Sequence, residues 1–218
     1  MRIRFPSLSA CSSFKKVRAV RGFTLVELVV SIGIIGVITG VVIVNYRDFE
    51  STTVLKNAAY DVALGIRESQ LKSISVVRGT SGGFDYPYGI SVTPGASHFT
   101  AFRYLSATAY PQYAGNLAEL VSTETLPGST ITVSDLCVTT TVSATEVCGL
   151  QRLDLSFRRP EFNALAYAVP ASGAPLDDEI IESRIILSST RNPSMQFRIK
   201  VTIFGQVSVC QVGLPNCL

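Results

Sequence analysis

Residues 23–44, FTLVELVVSIGIIGVITGVVIV, form an apolar run of 22 residues interrupted by a single charge, Glu27. As a helix rising 1.5 Å per residue, the run reaches about 33 Å, enough to cross a hydrocarbon core of about 30 Å. A cleaved secretory signal has a shorter apolar region with a small-residue cleavage site behind it, so this run reads as a span and not as a signal. Arg2, Arg4, Lys15, Lys16, Arg18 and Arg21 precede it without any acidic residue. A cationic head before a span keeps that head cytoplasmic, which places the rest of the chain on the far side. The same head leaves 13 basic against 16 acidic residues in the remainder. A nucleic-acid-binding basic arm is disfavoured, because the span follows at once.

The helix is expected to continue past the span. Asn45 to Val77 contains no Pro, and its only Gly is Gly65. Leu55, Ala59, Val62, Ile66 and Ser69 follow the three-and-four spacing of one helical face. Tyr60, Leu64 and Leu71 add a second apolar stripe, and Glu68–Lys72 is a favourable i,i+4 pair. Two stripes imply two surfaces to pack against: a domain on one side and, on the sharper reading, sister helices on the other. Within the span, Gly36-x-x-x-Gly40 is a spacing that lets membrane helices approach closely, although Gly is common in such segments.

Beyond Gly79 the pattern changes to strands. Expected strands cover 88–92, 98–105, 129–138, 152–157, 164–169, 180–189, 195–204 and 206–210, with a tight turn at Gly205. Leu153, Leu155 and Phe157 alternate onto one face. The expected fold is therefore α+β: a long N-terminal helix packed on an antiparallel β-sheet domain. Its segments would be a leader at 1–22, a spanning half-helix at 23–44, an amphipathic half at 45–78 and a β-rich domain at 79–218.

No catalytic constellation is present, and the expectation is a non-enzyme without cofactor or metal. GTSGG at 79–83 matches a G-x-S-x-G string, but that elbow needs a strand before it and a helix after it; here the order is reversed. His98 is the only histidine and opens a strand, the place of an ordinary surface or edge residue. Asp177, Asp178, Glu179 and Glu182 cluster and could bind Ca²⁺ through oxygen ligands, but a solvated turn before a strand is the preferred reading. Besides Cys11 in the basic head there are four cysteines, Cys137, Cys148, Cys210 and Cys217. An even set in an exported domain suggests two disulfides. Of three pairings, the local one, 137 with 148 and 210 with 217, is favoured because it closes short loops. No C-x-x-C spacing supports zinc or redox chemistry.

KKVRAVRGFTLVELVVSIGIIGVI resembles the N-terminal cleavage and methylation motif of type IV prepilins and type II secretion pseudopilins: a basic leader, Gly-Phe-Thr-Leu-x-Glu-Leu and an apolar helix. The resemblance implies a prepilin peptidase cut between Gly22 and Phe23 and methylation of the new Phe23 amine. It makes Glu27 the fifth mature residue, which sets the register of assembly by meeting the Phe23 amine of a neighbouring subunit. A charge in a span is costly and is kept when a partner charge is available, and a buried pair serves specificity more than stability. The alternative is that Glu27 snorkels to the interface one turn into the helix.

AAYDVALGIRESQLKSISV and the β-rich remainder look like the GspH/FimT-type minor pseudopilins. Two departures stand out: Val44 occupies a position where many pilins have Pro, and the region FGQVSVCQVG lacks the arginines of DNA-binding relatives. The implied partners are other pilin or pseudopilin subunits, the peptidase, an inner-membrane platform with its assembly ATPase, and membrane lipid. A filament-tip adhesin or DNA-uptake receptor is the alternative function. The acidic excess after the leader argues against general nucleic-acid binding, which depends on phosphate neutralisation.

Overall fold

The computed structural model describes residues 22–75, 87–104, 112–115, 118–142, 146–157, 163–176 and 179–214. Helix α1 is Leu25–Ile74, 50 residues with Glu27 in its first turn and Lys72 in its last. Each of these charges opposes the adjacent end of the helix dipole. The chain divides into two compact units, residues 1–45 and 46–218, and α1 contributes to both.

In the second unit, ten strands form two five-stranded sheets, and every pairing is antiparallel. The strands are β1 (Tyr88–Val92), β2 (His98–Arg103), β3 (Leu120–Thr125), β4 (Ile131–Thr140) and β5 (Glu146–Cys148), followed by β6 (Leu150–Phe157), β7 (Ala164–Pro170), β8 (Ile180–Ser189), β9 (Gln196–Thr202) and β10 (Val207–Gln211). The first sheet has the order β3-β2-β1-β6-β7 and the second β10-β9-β8-β4-β5. Helix plus antiparallel sheets is the expected α+β class.

One core joins the three layers. Leu55, Ala58, Ala59, Val62, Ala63 and Ile66 of α1 lie in the same buried cluster as Ile90, Leu153 and Leu155 of the first sheet and Leu136, Ile185 and Ile199 of the second. Small residues on the helix face bring its backbone close to the sheets. Gly65 carries this furthest, since a Cβ there would stand 2.6 Å from Phe99 Cε2. Polar groups on α1 tie down both sheets. Ser73 Oγ accepts the Tyr88 N–H at 3.0 Å, and Gln70 Nε2 donates to Gly205 O at 2.6 Å. Gly205 adopts φ 75°, and its N–H bonds Thr202 O, closing the expected β9–β10 hairpin.

Two strands escape the periodicity reading. β3, LVSTET, is mostly exposed and has no apolar alternation; it forms because it pairs with β2. β5 has only three residues and is held against β4 by a disulfide between register partners Cys137 and Cys148. Several strand limits also move by one or two residues; the expected 195–204 strand, for instance, ends at Thr202, where the turn to β10 begins. α1 ends at Ile74, with residues 76–78 of the expected helix outside the described set.

Candidate processing and assembly segment

Gly22, Phe23 and Thr24 precede the first helical residue, Leu25, and all three are exposed. Thr24 is the N-cap. Its Oγ1 accepts the Glu27 N–H at 3.2 Å, and its carbonyl accepts the Leu28 N–H, also at 3.2 Å. The helix therefore starts two residues after the Gly22–Phe23 bond, and an unwound bond is what a peptidase needs to reach. Thr24-Leu25-Val26-Glu27 also has the Ser/Thr-x-x-Glu spacing of a capping box, with Glu27 at the third helical position. Sequence reasoning overlooked this second meaning of Glu27, although the spacing was legible. One turn further on, Ser31 Oγ donates to Glu27 O at 2.7 Å.

Leu25–Ile43 is long and apolar enough to cross a membrane, and no part of it is buried within the chain. Phe23 is 77% exposed, and Gly33, Gly36 and Gly40 face open space, with no atom within 4 Å of a built Cβ. Exposed apolar surface of this extent marks an interaction surface.

The exposed stripe expected on the second half of α1 is present. Tyr60, Leu64 and Leu71 are 51%, 64% and 67% exposed, whereas Leu55, Ala59, Val62, Ile66 and Ser69 are buried. Lys72 pairs with Glu68 at 2.7 Å.

The remaining expectations sort as follows. Cys137 and Cys148 are joined, and Cys210 is disulfide-bonded to a partner beyond the described residues; Cys11, Cys217 and the 79–83 loop also lie outside that set. Asp135 lies beside the 137–148 bridge, where its Oδ1 accepts the Leu136 and Gly149 N–H groups at 2.8 and 3.0 Å. The bridged sulfurs carry no thiolate, so this trio is not a metal-ligand set while oxidised.

The acidic cluster is not assembled as a cation cage by its described members. Glu182 is engaged by Arg184 on its own strand and by Lys200 on β9, the latter at 2.8 Å, and Arg184 also reaches Glu146 of β5 at 2.6 Å. Burial would raise the Glu182 carboxyl, but hydrogen bonds from Lys200 and Arg184 outweigh it and hold the group below the ordinary range. Asp177 and Asp178 lie outside the described residues. His98 is exposed at the start of β2; that strand lies between β1 and β3, so the residue is not on a sheet edge.

Residues 17–43 match the prokaryotic N-terminal methylation motif. No curated protein and no solved structure matches the chain. The matched segment spans Arg18 and Arg21, the Gly22–Phe23 bond, the Thr24 cap, Glu27 and the exposed apolar helix. The likeness to the prepilin-type motif covers 27 of the 218 residues and lies at the head of the exposed apolar helix.

Proposed function

We propose that the chain is a minor pilin or pseudopilin of a type IV pilus or type II secretion-like filament, most similar in plan to the GspH/FimT type. The observation that carries this reading is the methylation motif at the head of an apolar helical segment, Leu25–Ile43, of which no part is buried. Peptidase cleavage after Gly22 at the cytoplasmic face would free the Phe23 amine for methylation. Glu27 is one helical turn away, so within a bundle of such helices the carboxylate of one subunit can meet the amine of the next. In a low-dielectric bundle that contact is strongly distance-dependent, which makes it a register mark. The β domain, with the Cys137–Cys148 bridge that an oxidising compartment permits, would be exported and displayed outside the filament core.

The test is processing. With the prepilin peptidase co-expressed, Gly22→Val should accumulate as a slower-migrating precursor, while wild type is converted to the mature form. Equal conversion of the variant would overturn the assignment. Mass spectrometry of the mature N-terminus should give Phe23 carrying one added methyl group.

A further inference from the structure

The outward face of the first sheet holds polar side chains in register. Thr100, Ser91, Asp154 and Tyr167 are successive cross-strand partners on β2, β1, β6 and β7, so they share one face. Residues 112–115 lie over that face: the Tyr113 N–H donates to Asp154 Oδ2 at 3.0 Å, and its ring sits 5.5 Å from that of Phe102. The Ala114 N–H donates to Glu119 Oε2 at 2.9 Å. A cavity of about 260 Å³ remains there, lined among others by Ser91, Thr93, His98, Thr100, Tyr113 and Arg152.

Arg152 is held on two sides. Its Nε is 3.2 Å from Asp154 Oδ2, and its Cζ lies 5.6 Å from the Tyr167 ring centroid. Neither Nη makes a hydrogen bond among the described residues. Asp154 is fully buried, and its Oδ1 has no hydrogen-bond partner. Burial pushes the Asp154 carboxyl up toward its neutral form, opposed by the Ser91 hydroxyl, Arg152 and the Tyr113 N–H. Arg152 lines this cavity together with Ser91, Thr93, His98, Thr100, Tyr113 and the backbone-rich Ala114–Gly115.

We propose that this cavity is a binding site for a small hydroxylated carboxylate of the sugar-acid class. The Nη edge of Arg152 would take the carboxylate in a two-pronged contact, the geometry a guanidinium fork favours. The hydroxyls of Ser91, Thr93 and Thr100 and the His98 ring would meet the ligand hydroxyls. The volume is below the usual range for drug-sized ligands, so one sugar-acid unit fits and an oligomer would extend into solvent. The inference does not depend on filament assembly.

The test is a titration of the full chain in detergent micelles with sodium glucuronate, followed by amide proton–nitrogen spectra. Saturable shifts are expected at Tyr113, Ala114 and Gly115, with glucose binding at least tenfold more weakly for lack of a carboxylate. Arg152→Met should weaken binding at least tenfold. Since that variant also leaves Asp154 without its guanidinium, Thr100→Val serves as the second probe: it removes one wall hydroxyl and should weaken binding several-fold with an unchanged thermal midpoint. Absence of saturable shifts, or wild-type binding by both variants, overturns the site; equal affinity for glucose overturns the ligand class.

Discussion

Thr24 and Glu27 show how much one turn of helix can carry. Thr24 caps the helix, and the carboxylate of Glu27 sits where the dipole favours it, while the same four residues lie next to the Gly22–Phe23 bond. Thr24→Ala should cost about 1 kcal/mol at the helix start, and the Glu27 amide should exchange with solvent about fivefold faster in micelles. Thr24→Ser should behave as wild type, since the capping oxygen is retained.

Asp154 is the other residue whose setting decides its behaviour. Its carboxyl is raised above the ordinary aspartate range, chiefly by burial. A carboxyl raised in the folded state contributes stability that is complete below the unfolded value and is lost as pH rises through the folded one. Asp154→Asn has no proton to lose and keeps an acceptor for the Tyr113 N–H. It should therefore gain on wild type in urea unfolding as pH is raised from about 4 to about 7.

At the scale of elements, α1 is one helix with two unlike surfaces. Its buried face sets Ala58, Ala59, Ala63 and Ser69 among Leu55, Val62 and Ile66; its other face keeps Tyr60, Leu64 and Leu71 exposed. Gly65 tests the close approach. Ala is the better helix former by about 1 kcal/mol. Yet its Cβ would stand 2.6 Å from the ring of Phe99, which is itself buried in the core. Gly65→Ala should therefore destabilise by about 1–3 kcal/mol in chemical denaturation, with the cost reduced in a Phe99→Leu background. Full recovery of helix propensity without loss of stability would show that the ring is free to move.

For the whole β domain, the cross-strand disulfide is the staple at one edge. It joins positions separated by 11 residues and holds β5, which has three residues and little apolar surface of its own. Replacing both Cys137 and Cys148 by Ser should cost about 2–3 kcal/mol in the chain-entropy view, read as a lower thermal midpoint that reducing agent changes less than it changes that of wild type. The Arg184–Glu146 pair then becomes the side-chain ion pair that ties β5 to the sheet.

What the sequence determined by itself was everything governed by local period and local chemistry. The span, the cap-and-carboxylate junction, the buried and exposed stripes of α1, and eight of the ten strands follow from spacing along the chain. The tertiary structure alone decided β3 and β5, because each exists through a neighbour: one by pairing with β2, the other by a covalent bond to β4. It also decided the fate of charged side chains far apart in sequence. Glu182 read as part of an acidic turn but is taken up by Arg184 and Lys200, and Asp154, opposite the face of Leu153, Leu155 and Phe157, is buried under residues 112–115. Alternation reports which side chains share a face; only packing reports whether the second face is covered, and burial and charge pairing depend on that cover.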